Sequence, residues 1–441
     1  MGRSSKETAG ADGFTINPRQ AACIFQRQIG RRGAAETKFH RLTCALDSAG
    51  GVVEICVVLL DRVRRQWLWP FGLALGLIFF GLARAQATSY TNIQTVFLIL
   101  MENVSWPDIV GNTDAPYINN VLLPQASHCE QYYAIGHPSL PNYLWLEAGT
   151  DFGITDNDPP SVHHQSTANH LVTLLNRAGI SWRAYQEDIS GSVVPLTDSY
   201  PYAVRHNPFV YFDDVTGTND ANDAYGIAHI RPYAELARDL TNQTVAAYNF
   251  ITPNVCNDMH DWCPPLSIEI LQGDTWLSTE IPKIMSSSAY SNNGAIFLLW
   301  DEGSASSTIG MIVLSRLAKG NGYSSSVNYT HSSMLRTVQE IFKVTPLLGD
   351  AANATNLSDL FKPTIHLSEP LFTTNQTMQF AAEGIVPGKT NYFQFTTNLE
   401  GTNPVTWQNL LTNVLATNRF IFVDTNASNG PRRFYRVLES Y

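Results

Sequence analysis

Four short and almost entirely apolar segments constrain the fold of this 441-residue chain most strongly. In chain order they are Thr95–Met101, Val245–Ile251, Ala295–Trp300 and Ile309–Ser315. Segments this short and this apolar are typical of strands buried on both faces, as in a parallel sheet covered by helices. We therefore predict such a sheet at the centre of the molecule.

Helical patterns separate these predicted strands. Apolar spacing and helix-start residues predict helices at Leu171–Arg177, Pro232–Leu240, Thr275–Ser286 and Ser332–Phe342. Strands that alternate with helices predict a three-layer α/β domain with a mainly parallel sheet over residues 90–362.

After Pro363 the sequence changes to short alternating segments separated by Gly and Asn turns, a pattern that predicts antiparallel strands. The segments are Thr377–Phe380, Asn391–Thr396, Arg419–Asp424 and Arg433–Val437. Residues 366–441 are therefore expected to form a small all-β, sandwich-like module with Trp407 in its core. The sequence of this module contains no cluster of His, Cys or carboxylate residues. We expect an accessory role for it, which includes contact with the cell envelope.

Residues 62–85 have the pattern of a secretory signal peptide. Its parts are a basic start, an uncharged run and a small-residue cleavage site, at Arg62, Arg64 and Arg65, at Trp67–Ala83 and at Ala83–Ala85. We expect export to the medium, the periplasm or the cell envelope, with a mature chain that begins near Gln86. An uncleaved membrane anchor is the alternative. Residues 1–61 are an uncertain extension, which a start codon assigned too early would explain.

The charge distribution limits the partners of the mature chain. The formal net charge is −10, and residues 1–85 contain more basic than acidic residues, so the remainder is more acidic still. An acidic body has no overall attraction for nucleic acid or anionic lipid. We expect no nucleic-acid partner, and any phosphate must be recognised by a local site.

Three cysteines lie in the predicted mature chain, too few for a disulfide scaffold. Cys256 and Cys263 flank a short loop and are the expected disulfide pair, with Cys129 as a buried free thiol. Three unpaired cysteines are the alternative.

Polar residues follow three of the predicted buried strands. They are Glu102 and Asn103, then Asn254, Asp258, His260 and Asp261, and finally Asp301 and Glu302. The carboxyl ends of parallel strands form the ligand crevice of open α/β sheets, so we expect these sets to meet at one edge. Ordinary turns are the alternative for each set taken alone. Carboxylate and amide oxygens suit a hard divalent cation, and the histidine extends the choice to Mn, Fe or Zn.

The segment His137–Tyr143 carries a candidate nucleophile. Prolines on both sides of Ser139 stiffen the turn before a predicted helical stretch, Tyr143–Ala148, and place the serine near a helix N-terminus. Free backbone N–H groups there favour an anion such as phosphate. An ordinary capping serine is the alternative.

Six ordered motifs resemble those of the secreted phosphoesterase family. They are MEN (Met101–Asn103), HPSLPNY (His137–Tyr143), RHNPF (Arg205–Phe209), ITPNVCNDMHD (Ile251–Asp261), WDEG (Trp300–Gly303) and YTHSSMLRTVQ (Tyr329–Gln339). This family contains bacterial and fungal acid phosphatases and bacterial phospholipases C. The resemblance implies an alkaline-phosphatase-like fold.

The resemblance also implies roles for individual residues. Glu102, Asn103, Asp301 and Glu302 would hold a divalent metal ion (Ca, Mg, Mn, Fe or Zn) that also contacts Ser139. Ser139 would be the nucleophile and form a phosphoserine. His206, His260 and His137 would bind phosphate oxygens and protonate the leaving group. Asn254, Asp258, Asp261 and His331 would provide second-metal ligands or line the pocket, with a helix start as the alternative role of His331. Among the histidines outside the motifs, we expect four to be superficial or structural: His163, His164, His170 and His229.

Acid phosphatase is the function that this resemblance favours, with a small-molecule or lipid phosphate ester as substrate. Phospholipase C, which includes action on phosphoinositides, is the second choice. Members of that type follow the Asp-Glu motif with a glycine and an Asp-His pair, whereas residues 304–308 here read SASST. An inactive surface-binding protein is the third hypothesis, although Ser139 and the acidic residues are all present.

Overall fold

The structure is a computed structural model that describes residues 55–59, 89–303, 308–373, 375–385, 387–397, 406–429 and 432–439. The predicted signal peptide and most of the extension before it lie outside these residues. Thr88–Lys362 forms one compact unit, and the chain from Pro363 onward forms another together with the strand at 55–59. Within the described ranges, no helix has the length and apolar character that a bilayer span requires.

The strands are given in chain order. They are β1 (Ile55–Leu59), β2 (Thr95–Met101), β3 (Ser127–Cys129), β4 (Tyr132–Tyr133), β5 (Trp182–Gln186), β6 (Ile230–Pro232), β7 (Tyr248–Thr252), β8 (Gly294–Trp300), β9 (Met311–Ser315), β10 (Tyr323–Ser325), β11 (Tyr329–Thr330), β12 (His366–Phe372), β13 (Met378–Glu383), β14 (Thr390–Thr396), β15 (Gln408–Val414), β16 (Arg419–Asp424) and β17 (Arg432–Glu439).

The α-helices follow in the same way. They are α1 (Trp106–Ile109), α2 (Leu123–Gln125), α3 (Ser139–Ala148), α4 (Pro160–His163), α5 (Leu171–Arg177), α6 (Asp213–Thr216), α7 (Ala224–His229), α8 (Glu235–Asn242), α9 (Glu269–Met285), α10 (Ser288–Ser291) and α11 (His331–Phe342). Short 3₁₀ turns and one π-helical turn, Ile118–Leu122, connect some of these elements.

Eight strands of the Thr88–Lys362 unit form one sheet in the order β10-β3-β9-β8-β2-β7-β5-β6. β9 runs antiparallel to its neighbours β3 and β8, and the other pairings are parallel. β7 and β8 are buried at every residue and β2 at all but its first, which explains their apolar sequences. The predicted α/β class with a mainly parallel sheet is confirmed. The segment Ile309–Ser315 supplies the antiparallel strand.

Three predicted helix starts are wrong, among them that of α9, which begins at Glu269, ahead of the predicted start at Thr275. Pro232 ends strand β6, and α8 begins only at Glu235. α3 begins at Ser139, ahead of the predicted start at Tyr143, because Pro138 is the extended N-cap residue (φ −82°, ψ −166°). The start of α3 at Ser139 places this serine on the first turn of a ten-residue helix.

The C-terminal unit is a β-sandwich, as predicted. Its two sheets have the orders β1-β17-β14-β15 and β12-β13-β16, and both contribute to one apolar core. Aromatic rings from the two sheets meet there, with centroid distances of 4.6 Å for Phe380 and Tyr435 and 5.2 Å for Phe393 and Phe422. The pairing of β1 with β17 was not foreseen. Trp407 is half-buried outside this core, under the Arg436 guanidinium at 4.2 Å, so its predicted core position is wrong.

Candidate active site

The ends of β2 and β8 place Glu102 and Asp301 side by side. Met101 and Trp300, the last residues of these strands, are partners in the sheet register, so the next residue of each enters the same edge. The backbone N–H of Asp301 donates to the Met101 carbonyl at 2.9 Å. The backbone N–H of Asn103 donates to Asp301 Oδ1 at 3.2 Å. The two carboxylates are therefore fixed by the backbone of adjacent strands.

Asp258 reaches the same edge from the loop after β7. Its backbone carbonyl accepts from the N–H of Glu102 at 2.8 Å, and its Oδ1 accepts from the N–H of His260 at 2.9 Å. The structure thus brings together Glu102, Asp258 and Asp301 from three strand ends that are far apart in sequence. We call these three residues the carboxylate cluster.

Burial makes the carboxylate cluster electrostatically unusual. All three side chains are fully buried, and burial raises the pKa of Glu102 and of Asp258 well above its ordinary value. Burial, followed by the charge of Glu302, raises the pKa of Asp301 to about 7. Carboxyl groups this close in a low dielectric are unfavourable unless a cation compensates them. The donor set therefore fits a divalent cation.

Buried polar atoms without a hydrogen-bond partner provide a second test of whether these residues fit a cation. Among the described residues, Asp258 Oδ2, Asp301 Oδ2 and His206 Nε2 are buried without a hydrogen-bond partner. His206 Nε2 lies 3.2 Å from Glu102 Oε1, and its Nδ1 lies 3.3 Å from Asp258 Oδ2. Burial lowers the pKa of His206 well below its ordinary value, and a neutral imidazole is a competent metal ligand. Donor atoms of Glu102, His206 and His260 also lie within 4.8 Å of one another.

Ser139 lies against the carboxylate cluster. It is the first residue of α3, its side chain is buried, and its Oγ donates to Glu102 Oε2 at 3.2 Å. The next backbone N–H, that of Leu140, is bound by Asn157 Oδ1 at 3.0 Å, which anchors the helix start. The hydroxyl is therefore held where a phosphoryl group would meet both the helix N-terminus and the cluster.

Two neighbours of Ser139 on α3 support the site and were not singled out from the sequence. Asn142 Oδ1 accepts from the N–H of Ile135 at 2.9 Å, and its Nδ2 donates to Glu302 Oε2 at 3.1 Å. Tyr143 donates its hydroxyl to Glu102 Oε1 at 2.6 Å and stacks on His206, with ring centroids 5.2 Å apart. Both residues are fully buried. The HPSLPNY motif contains them, but only the fold shows what they contact.

The outer side of the site carries histidines and one arginine. His137 Nδ1 lies 3.0 Å from Glu302 Oε2, and its side chain is 48% exposed. His260 is held from two sides, with Nδ1 2.7 Å from Asp261 Oδ1 and Nε2 3.2 Å from the Arg205 guanidinium. Burial raises the pKa of Glu302 to about 7, and the charge of Arg205 opposes this rise. Arg205, which sequence reasoning missed, is therefore a further cationic group beside the cluster.

Asn254 does not enter the site. Its Oδ1 accepts from the backbone N–H groups of Cys256 and Asn257 at 2.9 and 3.0 Å, and its Nδ2 donates to Asp188. Its assignment as a ligand or pocket residue is corrected to that of a turn-forming residue, because Asn side chains compete for nearby backbone groups. Asp261 also serves as a support, since its carboxylate orients His260.

His331 holds Asp301 in place through the backbone. Its Nε2 donates to the Asp301 carbonyl at 2.7 Å, and its Nδ1 is 3.3 Å from the Tyr132 hydroxyl. It begins α11, and burial lowers its pKa to about 4. With both ring nitrogens engaged, it is corrected from a second-metal ligand to a positioning residue.

Asn103 is exposed beside the cluster, in a left-handed conformation (φ 50°).

The predicted cysteine pairing is confirmed. Cys256 and Cys263 form a disulfide, and Cys129 is a buried free thiol whose pKa is raised by burial. The disulfide closes the loop that carries Asp258, His260 and Asp261.

Comparison with known proteins defines the class of this chain. The profile of the phosphoesterase family matches residues 112–345, which is more than half of the sequence. The chain therefore belongs to the phosphoesterase family and is a hydrolase of phosphate esters. The family resemblance predicted from the six motifs is confirmed.

Individual relatives are moderately similar. A phosphatidylinositol-3-phosphatase from Mycobacterium tuberculosis is 29% identical over 283 residues, covering 64% of this chain and 86% of the relative. A probable acid phosphatase from Kluyveromyces lactis is 27% identical over 295 residues, covering 62% and 65%. An acid phosphatase from Aspergillus fumigatus is 28% identical over 256 residues, covering 55% and 53%, so the match spans half to two thirds of these fungal relatives. An alkaline phosphatase superfamily protein from Vibrio parahaemolyticus has a TM-score of 0.42 and 11% identity over 67% of this chain and 76% of its own, a likeness too weak to support an argument.

Proposed function

We propose that this chain is a metal-dependent acid phosphatase that hydrolyses phosphate monoesters through a phosphoserine at Ser139. The observation that carries the proposal is the Ser139 hydroxyl, which lies at the start of α3 and 3.2 Å from Glu102 Oε2. Family membership and the fungal acid phosphatase relatives support the same reaction.

Glu102, Asp258, Asp301 and His206 are the residues that we propose to hold a divalent cation. The buried unpartnered atoms of the last three support this assignment. When bound, such an ion lowers the pKa of a nearby hydroxyl and offsets the negative charge of a phosphoryl group. An imidazole among oxygen donors favours Mn, Fe or Zn over Ca or Mg. Glu302 bonds to Asn142 and His137, so we assign it a supporting place beside these ligands.

The protein residues carry out two displacements at phosphorus. Ser139 Oγ releases its proton to water and attacks phosphorus in line, the ester P–O bond breaks, and the alcohol leaves with a proton from His137 or His260. Water then attacks the phosphoserine, the Oγ–P bond breaks, one proton of that water returns to Ser139 Oγ, and inorganic phosphate leaves. His137 and His260 lie on the accessible side and are the candidates for binding phosphate oxygens and protonating the alcohol. His206 is buried and neutral, so we place it among the metal ligands rather than among the proton donors.

A lipid phosphomonoester is the second candidate substrate. The phosphatidylinositol-3-phosphatase relative favours it, because this chain covers 86% of that protein. Both candidates break a monoester bond and release inorganic phosphate, whereas a phospholipase C would release a diglyceride.

A substrate panel tests the proposal. The purified chain is assayed at acidic and neutral pH with p-nitrophenyl phosphate, with phosphatidylinositol 3-phosphate in vesicles and with phosphatidylcholine, each under several added divalent metals. We expect metal-dependent release of inorganic phosphate from p-nitrophenyl phosphate. Release of diglyceride without inorganic phosphate would contradict the assignment.

We also propose that the protein is exported. The signal-like segment at 62–85 supports this, and so does the Cys256–Cys263 disulfide, since disulfides persist mainly in oxidising compartments. N-terminal sequencing of the exported form should find a start near Gln86. A start upstream of Leu60 would contradict this proposal.

The C-terminal module is proposed to be accessory to the chemistry and to serve contact with the cell envelope. All the candidate site residues lie between Glu102 and His331, ahead of this module. A chain that ends at Lys362 and folds should keep its rate on small phosphate esters. Loss of more than nine tenths of that rate would assign the module to the active site.

A further inference from the structure

A cleft of about 660 Å³ opens beside the candidate active site. Asn103 and His260 belong both to this cleft and to the surroundings of the carboxylate cluster. The other walls come from the segment that follows β2 and from the start of α9. The cleft is therefore continuous with the site through His260 and Asn103.

The chemistry of the cleft walls differs from that of the phosphate site. Polar groups make up most of the accessible lining, with apolar side chains such as Val104, Val110 and Ile270 among them. Two carboxylates, Asp108 and Glu269, lie among them, and none of the described lining residues is Lys or Arg. Neither carboxylate forms an ion pair or a side-chain hydrogen bond within the described part of the chain. The cleft thus has a mainly polar lining with two carboxylates and, among the described residues, no Lys or Arg to compensate them.

Position determines which part of a substrate would enter this cleft. His260, which we propose to contact the phosphoryl group, also lines the cleft, so an alcohol that extends past this histidine enters the cleft. Such an alcohol lies along walls that include Asp108 and Glu269. A negative charge on it would meet these carboxylates, and beyond His260 no basic residue of the described chain lines the cleft to compensate.

We infer that this cleft is the leaving-group subsite and that Asp108 and Glu269 determine its specificity. The subsite takes neutral or cationic alcohols and discriminates against alcohols that carry carboxylate or further phosphate groups. The alcohol of a phosphoinositide carries such a phosphate, so the inference favours small neutral esters over the second candidate substrate. The inference rests on the proposed phosphomonoesterase function and adds a substrate class to it. It predicts poor turnover of inositol polyphosphates and of nucleotides with several phosphates.

Three phenyl phosphates test the inference. They are phenyl phosphate, 4-carboxyphenyl phosphate and 4-(trimethylammonio)phenyl phosphate, and kcat/KM is measured for each in the wild type and in the double variant Asp108→Asn/Glu269→Gln. Each substrate is compared between the two proteins, so differences in the chemical reactivity of the three leaving groups do not affect the ratio of the two kcat/KM values. The charges of the substrate and of the two carboxylates lie within one cleft, so their interaction should change kcat/KM measurably. In the double variant, kcat/KM should rise about tenfold for the anionic ester, fall several-fold for the cationic ester and stay within about twofold for phenyl phosphate.

Two controls separate charge from shape. Glu269→Asp keeps the charge and should keep the wild-type preference. Asp114→Asn removes one charge from the same segment at a position that does not line the cleft, and it should change the preference less than Glu269→Gln does. The preference should also weaken with added salt, since the Debye length falls from about 10 Å at 0.1 M to about 3 Å at 1 M.

Inhibition of the wild type gives a readout that needs no variant. Phenyltrimethylammonium should compete with phenyl phosphate more strongly than benzoate does. An unchanged ratio of anionic to cationic turnover in the double variant, or equal changes for all three esters, would overturn the inference. If the wild type does not hydrolyse phenyl phosphate while Ser139 is intact, the proposed function itself fails and the subsite assignment with it.

Discussion

The hydroxyl of Tyr143 offers a sharp test of how the carboxylate cluster is held. Tyr143→Phe removes the oxygen that donates to Glu102 Oε1 at 2.6 Å but keeps the ring that stacks on His206. Tyr143 and Glu102 are both fully buried, so no water replaces the lost donor without rearrangement. With the proposed cation bound, Glu102 is charged, and a hydrogen bond to a charged group contributes about 1.5–3 kcal/mol. We expect the variant to unfold at a melting temperature lower by roughly 3–10 °C.

The same substitution should weaken metal binding by the enzyme in a measurable way. Glu102 is a proposed ligand, and loss of a residue that orients a ligand typically lowers metal affinity or activity by about 10- to 100-fold. The assay is kcat/KM for p-nitrophenyl phosphate as a function of added metal, with melting temperature measured on the same preparations. The half-saturating metal concentration should rise in Tyr143→Phe.

Tyr248→Phe is the matched control. Tyr248 is equally buried, but its hydroxyl has no hydrogen-bond partner among the described residues. Removing a buried hydroxyl without a partner should be neutral or slightly stabilising. If Tyr143→Phe and Tyr248→Phe behave alike in both stability and metal requirement, the Tyr143–Glu102 hydrogen bond does not support the site and the reasoning is refuted.

Three further predictions follow from other parts of the structure. Asp301→Asn should lower the metal content of the purified protein, because a buried anionic oxygen is lost from the proposed ligand set, and unchanged content by elemental analysis would contradict that set. Cys263→Ser should reduce activity more than melting temperature, since the disulfide closes the short loop that carries Asp258 and His260; equal losses would argue for a purely stabilising role. His170 is buried between Glu147 and Asp214, whose hydrogen bonds and charges outweigh burial and raise its pKa to about 9, so its ion pairs contribute fully below pH 6.5 and are lost as pH rises through 9. This shift is worth about 3 kcal/mol, and unfolding curves should show that loss between pH 6.5 and 9 in the wild type but not in His170→Gln.

The sequence predicted the parts of the site that depend on where strands end. Glu102 and Asp301 directly follow continuous apolar strands, and parallel strands end at one edge of a sheet, so a shared edge was predictable. The pairing of β2 with β8, which makes them neighbours, was not. Ser139 was predictable for a similar reason, because the flanking prolines mark the start of a helix. In each case a local pattern determines the position of the residue.

Other roles depend on contacts between distant segments, and sequence patterns do not contain them. Tyr143 and Arg205 lie inside quoted motifs, but their partners come from other elements of the fold. Asn254 was misassigned because an asparagine after a strand has the same pattern whether it binds a metal or caps a turn. His331 begins α11, as its alternative role predicts, but its direct hydrogen bond to the Asp301 backbone joins residues far apart in sequence.

Sequence patterns predicted the structure of the C-terminal module only in part. Alternating apolar residues predicted its strands, since one face of each strand packs in the sandwich core. The position of Trp407 was not predictable, because its contact with Arg436 joins separate segments of the chain. The pairing of β1 with β17 joins segments at opposite ends of the chain, and no local pattern specifies such a pairing.

The central claim is that Ser139 forms a covalent bond with the phosphoryl group of the substrate. The direct measurement is acid quenching of the enzyme during turnover of a ³²P-labelled monoester, followed by peptide mass spectrometry. We expect phosphoserine at Ser139 in the wild type, and we expect Ser139→Ala to show neither label nor turnover above about one thousandth of the wild-type rate. A folded Ser139→Ala variant within tenfold of the wild-type rate, or label at another residue, would contradict the account.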